Sequence, residues 1–306
     1  AAAEVLKHLA PMVDELEERS RLWRRRRDLL EAGNRHLEAM QAGLEVLRTR
    51  HAEEEAPHET LERIRAMAEA GNLWQDYAAV IEEAAAVTDD APLRRELLLD
   101  MGRVFEDRLG YHDEARQALD RVLDLDPTCA EALDLLERIG LQQEDFVAIE
   151  GVLRRRVAVA ADLDERREFL LRLGRLYEDL LGDDGSAASS YAEIVERAPE
   201  DREALAGLHR TFDRSERYPE LADVIAREIA TSRNDRERDR LRCELAEIRW
   251  TRLDDYDGAV PLLRDVLGDD PENAEALRQL QALLERAPAR DAAANALAPF
   301  YRSRER

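Results

Sequence analysis

The chain has 306 residues, of which 44% are apolar and 38% are charged, and its net charge is −23. No apolar run approaches the length of a transmembrane helix, so we expect no membrane insertion. The excess of acidic groups disfavours binding to nucleic-acid phosphates. The richness in Ala, Leu, Glu and Arg favours an all-α protein. The N-terminal sequence lacks the pattern of a signal peptide, so we expect a cytoplasmic location.

The first 56 residues contain helix-forming sequence without the pattern that recurs later in the chain. Their most basic stretch, "RLWRRRRDLLEA", starts at Arg21. Glu17–Arg21 and Arg24–Asp28 have the i, i+4 spacing of ion pairs along a helix, so this stretch is interpreted as an exposed helix face. Residues 1–56 are therefore predicted to be a divergent N-terminal helical cap or a degenerate repeat. Residues 57–306 are predicted to be a helical repeat array.

A period of 72 residues runs through the rest of the chain. Three segments align without gaps, starting at Met101, Leu173 and Leu245, and they end at prolines with the same spacing: Pro127, Pro199 and Pro271. The triplet "EAL" and a large aromatic residue recur with the same period. Self-similarity at a fixed period of this kind is the signature of a stacked helical repeat.

Each 72-residue unit reads as four short helices, that is, two helix hairpins. In the second unit, Leu170, Leu173 and Tyr177 lie on one helical face at i, i+3 and i+7. The closing proline suits the first turn of a helix, where its missing N–H is not needed. Gly174 and Ala187 are predicted to allow the two helices of one hairpin to approach closely. Bulkier side chains there would cost about 1–3 kcal/mol.

The pattern resembles the tetratricopeptide repeat. The residues that carry the resemblance in the first copy are Met101, Gly102, Phe105, Gly110, Ala115, Leu119, Val122 and Pro127. Clear motifs cover about residues 97–127, 169–199 and 241–271. In two respects the sequence departs from the motif: the first helix is about one residue longer, and the third copy has Arg249 in place of the aromatic residue, with Trp250 beside it. The resemblance implies an all-α solenoid, a right-handed superhelix of antiparallel helix pairs.

The resemblance also implies a function. Such a solenoid binds a partner protein or peptide through a concave face that is lined by the first helix of each hairpin. The residues that would line this groove are Glu96, Leu99, Arg103 and Glu106 in the first copy, Glu168, Leu171, Arg175 and Glu178 in the second, and Arg240, Cys243, Glu247 and Trp250 in the third. Their mixture suggests an extended partner with some arginines and an anchor for Trp250.

The sequence offers no convincing catalytic or metal site, so we expect a non-catalytic protein without a cofactor. The carboxylate pairs Glu106-Asp107 and Glu178-Asp179 have no nucleophile beside them. The histidines His36, His51 and His58 lack the spacing of metal ligands and are interpreted as solvated. "DDGS", which starts at Asp183, lacks the alternating oxygen ligands of a calcium loop, so it is interpreted as a turn between helices.

Two further functions remain open from the sequence. The protein could self-assemble by stacking through incompletely capped ends, which would make it a homo-oligomer. Alternatively, the array could be the regulatory region of a larger enzyme or signalling protein. The sequence does not identify the partner in any of these cases.

Overall fold

The computed structural model describes residues 1–49 and 57–304, and the described chain is all-α. A short 3₁₀ turn, Ala10–Met12, follows the first helix. The helices are α1 (Ala2–Leu9), α2 (Leu16–Ala32), α3 (His36–Arg48), α4 (Pro57–Gly71), α5 (Trp74–Val87), α6 (Ala91–Val104), α7 (His112–Leu125), α8 (Ala130–Gln142), α9 (Phe146–Val159), α10 (Leu163–Leu176), α11 (Asp184–Arg197), α12 (Arg202–Arg214), α13 (Tyr218–Thr231), α14 (Asp235–Arg252), α15 (Tyr256–Asp269), α16 (Ala274–Leu283) and α17 (Arg290–Arg304).

The helices fall into two units, Ala1–Val159 and Ala160–Arg306. Within each unit, consecutive helices pack against one another as hairpins. The predicted four helices per 72 residues are confirmed: α6, α7, α8 and α9 recur as α10, α11, α12 and α13. The predicted assignment of residues 1–56 to a cap or a degenerate repeat stays a prediction, and residues 50–56 of this segment lie outside the described residues.

The extra residue in the first helix of the first two clear copies is accommodated as a π turn. Phe105–Leu109 follows α6 and Tyr177–Leu181 follows α10. Each π turn ends at a glycine in the left-handed conformation, Gly110 with φ 67° and Gly182 with φ 65°. A π turn holds one residue more per turn than an α-helix, so the longer first helix still reaches the same point of its hairpin.

The predicted close approach at the small residues is confirmed. A Cβ added at Gly174 would lie 2.5 Å from Cε1 of Tyr191 on the partner helix α11. The other side of the same ring faces Gly207 of α12, where an added Cβ would lie 2.6 Å from Cε2. Tyr191 is 1% exposed. Two glycines therefore enclose one large ring, and this contact joins a hairpin to the next one.

The basic stretch of α2 differs from its prediction as an exposed face. The pair between Arg21 and Glu17 forms, but Arg26 and Arg27 are only 4% and 1% exposed. The Arg26 guanidinium lies 5.5 Å from the Trp23 ring centroid, and its Nε donates to the Ala3 carbonyl at 3.2 Å. These contacts form because α1 packs on α2. Two of the four consecutive arginines are thus part of the packing.

Candidate functional site

The predicted groove residues divide between the two units, four in the first and the others in the second. Glu96, Glu168, Arg175, Arg240 and Glu247 are exposed. Leu99, Arg103 and Trp250 are partly buried. Four others are buried, with exposed fractions of 5–8%: Leu171, Cys243, Glu106 and Glu178. A buried side chain cannot be the first point of contact for a partner, so these four are structural in the free protein.

Glu106 and Glu178 are buried because an arginine from the next hairpin covers each of them. Arg138 of α8 binds both carboxylate oxygens of Glu106 at 2.6 Å. Arg210 of α12 binds both oxygens of Glu178, at 2.7 and 2.9 Å. The second pair lies 72 residues after the first. Charge-assisted, two-point hydrogen bonds of this kind fix geometry as well as supplying energy. The pairs therefore close the gap between neighbouring hairpins.

The electrostatics of Glu178 argue against acid–base chemistry at this carboxylate. The hydrogen bonds from Arg210 lower its pKa, and the hydroxyl of Tyr191 donates a further hydrogen bond at 3.0 Å. Burial raises the pKa of Tyr191 itself, so its hydroxyl stays protonated and donates. A carboxylate that is held ionised and has its oxygens occupied is a structural group.

The predicted groove arginines Arg103 and Arg175 are also engaged within the protein. Arg103 donates to Glu131 at 2.6 Å. The equivalent pair, with both residues 72 positions later, joins Arg175 to Glu203. Each of these pairs links the first helix of one hairpin to the first helix of the next. Because all four side chains are at least partly exposed, the pairs contribute little to stability, about 0–1 kcal/mol each.

The third copy breaks the pattern at the position of the buried glutamate. Trp250 of α14 lies 72 residues after Glu178, and Ala282 of α16 lies 72 residues after Arg210. Trp250 is partly buried against the core of α14–α17. Its Nε1 donates to Oε1 of the buried Gln279 at 3.4 Å, and the Arg286 guanidinium lies 6.0 Å from its ring centroid. An aromatic side chain and a methyl group thus replace the ion pair that closes the other two copies.

Two clefts, each of about 360 Å³, flank helix α14. The first lies between α14 and the α12–α13 hairpin, and the second lies between α14 and α16. Arg240 lines both. The first cleft is also lined by Arg202, Glu203, Ala206, Glu228, Thr231, Ser232, Glu237 and Leu241. The second is also lined by Arg236, Cys243, Glu244, Glu247, Asn273, Glu275 and Gln279. We call the side of α12, α14 and α16 that carries Trp250 and the two clefts the α14 face.

His209 of α12 connects a lining residue of the first cleft to a lining residue of the second. Its Nδ1 lies 2.6 Å from Glu228 of the first cleft, and its Nε2 lies 3.0 Å from Glu244 of the second. Hydrogen bonds to both carboxylates raise the pKa of His209 to about 9, so the imidazole is charged at neutral pH and donates to both. The same contact lowers the pKa of Glu244. Sequence reasoning missed this bridge, because the three residues are 19 and 35 positions apart.

The structure also gives the surroundings of the histidines and of the "DDGS" stretch. His58 is exposed, His36 is partly buried and His51 lies outside the described residues. Within the described part of the chain there is no group of three or more His, Cys, Asp or Glu side chains that could hold a metal ion. Asp183 is the N-cap of α11, accepting from the Ser186 N–H at 3.0 Å, and residues 184–186 form the first turn of that helix, so the prediction of "DDGS" as a turn between helices is correct only for Asp183. No helix in the described residues is long and apolar enough to cross a bilayer.

Comparison with known proteins agrees with this architecture. Two models of the family described as "Tetratricopeptide repeat" match residues 168–201 and 204–238, which are the α10–α11 and α12–α13 hairpins. The chain is a tetratricopeptide-repeat protein. Tetratricopeptide repeats generally mediate protein–protein interactions. No curated protein matches the sequence.

Several solved structures resemble the chain at low sequence identity. The C-terminal part of a repeat-containing protein from Cytophaga hutchinsonii is 17% identical, with a TM-score of 0.34, over 83% of this chain and 98% of that one. The complex of Naa15/Naa10 with HypK-THB contains a chain that is 15% identical, with a TM-score of 0.45, over 90% of this chain and 43% of that one. The TPR2AB domain of yeast Sti1, in a complex with pHSP90, is 14% identical, with a TM-score of 0.31, over 91% and 99%.

Proposed function

We propose that this tetratricopeptide-repeat protein is a non-catalytic scaffold that binds an extended segment of a partner protein on the α14 face. The observation that carries the proposal is the break in the repeat at Trp250. The first two copies hold a glutamate at this position, closed by an arginine from the next hairpin. The third copy holds a partly buried tryptophan and leaves Ala282 in the place of the arginine.

The break matters because of its position in the repeat. Trp250 is one of the residues that the family resemblance places on the partner-binding face. Tryptophan is enriched among the side chains that dominate protein interfaces, because it combines a large apolar area with a polar N–H. The two clefts on either side of α14 give a partner concave surface, lined mainly by polar residues, on the same helix as this anchor.

The non-catalytic part of the proposal rests on how the titratable groups are used. At the clefts, the pKa of His209 is raised and that of Glu244 is lowered because the two side chains are bound to each other across two helices. The hydrogen bond from Arg278 lowers the pKa of Glu275, and burial raises the pKa of the Cys243 thiol. Both nitrogens of His209 are occupied by carboxylates, so the ring has no free position for a substrate. Shifted pKa values within a structural ion-pair network do not require a catalytic role.

The test is selection of peptides from a random display library on the intact protein, followed by affinity measurement with single variants. We expect Trp250→Ala to weaken the selected peptides by about tenfold or more, which corresponds to about 1.4 kcal/mol. Leu141→Ala is the matched control, since Leu141 is a 58% exposed apolar residue in the other unit. Peptides that bind both variants as well as the wild type would place the binding surface elsewhere and would refute the α14 face.

A further inference from the structure

The charges around the clefts are not equally available to a partner. Most of the acidic side chains that line the clefts are engaged within the protein; the exception is the exposed Glu247, whose ion pair with Arg278 spans 3.8 Å. Glu228 and Glu244 are bound to His209, and Glu237 lies 3.1 Å from Arg202. Glu203 pairs with Arg175, and Glu275 pairs with Arg278. A second cationic side chain approaching these carboxylates would have to compete with a partner that is already in place.

Two arginines on α14 are not engaged in this way. Arg236 is exposed, and among the described residues its guanidinium has no ion pair or hydrogen bond. Arg240 has one ion pair, with Glu244 at 3.7 Å, and its side chain is 69% exposed. They are one helical turn apart, at i and i+4, so both point to the same side of α14. Of the three arginines that line the clefts, they have the most donors left for a partner, since Arg202 pairs with Glu237 at 3.1 Å.

We infer that the partner segment carries an acidic residue for Arg236 and Arg240 and an apolar residue for Trp250. This inference rests on the proposed function and specifies the chemistry of its partner. An acidic partner differs from the partner that the sequence alone suggested, which was a segment with some arginines. A guanidinium presents a fork of donors that fits a carboxylate, so an arginine pair with free donors recognises acidic side chains.

The spacing of the two anchors follows from the helix. Arg240 and Trp250 are ten residues apart on the continuous helix α14, which corresponds to about 15 Å along its axis. An extended chain advances about 3.3 Å per residue. The acidic residue and the apolar residue of the partner are therefore expected to be about four to five positions apart.

The experiment uses synthetic peptides and the full chain. The first probe is a fluorescein-labelled peptide with a central leucine and a pair of glutamates about four residues away on each side, so that either chain direction can bind. The second probe has lysines in place of the glutamates, and the third has serine in place of the leucine. Fluorescence anisotropy gives the affinity of each peptide for the wild type, for Trp250→Ala and for the double variant Arg236→Glu/Arg240→Glu.

We expect the glutamate peptide to bind the wild type about tenfold or more tightly than either altered peptide. The double variant should reverse the preference between glutamate and lysine, because only the sign of the charge changes. Both arginines are exposed and lack a close ion pair, so the double variant should remain folded, which circular dichroism would verify.

Each contrary result has its own meaning. If the lysine peptide binds the wild type as tightly as the glutamate peptide, and Trp250→Ala weakens both, the acidic partner is refuted while the binding face survives. If Trp250→Ala changes no affinity, the proposed function of the α14 face fails with it. If none of the three peptides binds at millimolar concentration, the inferred partner chemistry is wrong.

Discussion

The second and third copies of the repeat share the same succession of helices but differ at the junction between their hairpins, as well as at the turn that follows the first helix. In the second copy, Glu178 and Tyr191 are buried and hydrogen-bonded to each other, and the exposed Arg210 binds the Glu178 carboxylate from the next hairpin. In the third copy, Trp250, Ala282 and Leu263 occupy the same three positions. One junction is closed by polar groups that satisfy each other, whereas the other holds a partly buried aromatic side chain against Gln279 and Arg286. The comparison shows that one position of the repeat can hold an ion pair in one copy and an aromatic side chain in the next.

The largest effect on stability is expected from adding a methyl group where Gly174 contacts Tyr191 in the second copy. We expect Gly174→Ala to lower the free energy of unfolding by about 2 kcal/mol, because the added Cβ would overlap the Tyr191 ring. The third copy holds Ala246 and Leu263 at these positions, so it shows that alanine is tolerated when the facing residue is leucine.

Urea denaturation of a double-mutant cycle provides the control. Gly174→Ala combined with Tyr191→Leu should cost less than the sum of the two single changes, because leucine removes the overlap. If the losses in free energy of unfolding of the two single variants add exactly in the double variant, residues 174 and 191 are not coupled. The contact between Gly174 and Tyr191 would then not explain why the third copy has alanine and leucine at these positions.

The His209 bridge makes a second prediction, about pH. Hydrogen bonds to Glu228 and Glu244 raise the pKa of His209 from the ordinary value of about 6.5 to about 9. A raised pKa in the folded state stabilises the protein fully below about pH 6.5, and this contribution is lost as the pH rises from about 6.5 to about 9. The contribution of the charged His209 bridge to the free energy of unfolding is about 2 kcal/mol. Arg240 also faces Glu244, so it retains part of the attraction on that carboxylate when the histidine is neutral.

The measurement is the free energy of unfolding of the wild type and of His209→Gln between pH 6 and pH 9.5. Glutamine keeps a hydrogen-bonding side chain but does not titrate. The difference in stability between the two proteins should shrink as the pH rises. A difference that is constant over this range would show that folding does not raise the pKa of this imidazole.

A smaller effect is expected at the turn after α14. Gly110 and Gly182 end the π turns of the first two copies with positive φ, and the third copy has Asp254 at this position with φ 53°. Aspartate adopts this conformation at a cost, whereas glycine does not. Asp254→Gly should raise the free energy of unfolding by about 0.5–1 kcal/mol. The matched change Asp257→Gly lies within helix α15, where φ is negative, and it should destabilise instead.

Much of the fold could be predicted from the sequence because it depends on local periodicity. The 72-residue period, the four helices per unit and the contact at Gly174 all follow from residues close together in the chain. The extra residue in the first helix was also visible, although its accommodation as a π turn was not. That conformation depends on how the hairpin closes at Gly110 and Gly182.

The candidate site was harder to predict because its chemistry depends on pairs of residues from different hairpins. Glu178 and Arg210 are 32 positions apart, so the i, i+4 rule for one helix does not detect them. A signal was nevertheless present: Arg138 and Arg210 recur at the same 72-residue spacing as Glu106 and Glu178. Looking for charged residues that recur together would have identified this pair, and with it the exception at Trp250.

The central claim is that the exchange of a glutamate–arginine pair for Trp250 and Ala282 creates the binding surface. The most direct test installs the pair in the third copy with the double variant Trp250→Glu/Ala282→Arg. The first copy, in which Glu106 and Arg138 pair beside Leu119, shows that this combination folds with a leucine at the third position.

The measurement is titration calorimetry of a peptide selected on the wild type, with circular dichroism to verify that the double variant is folded. We predict that the variant keeps its helical content and binds the peptide at least about tenfold more weakly. An unchanged affinity in the folded variant would contradict the account.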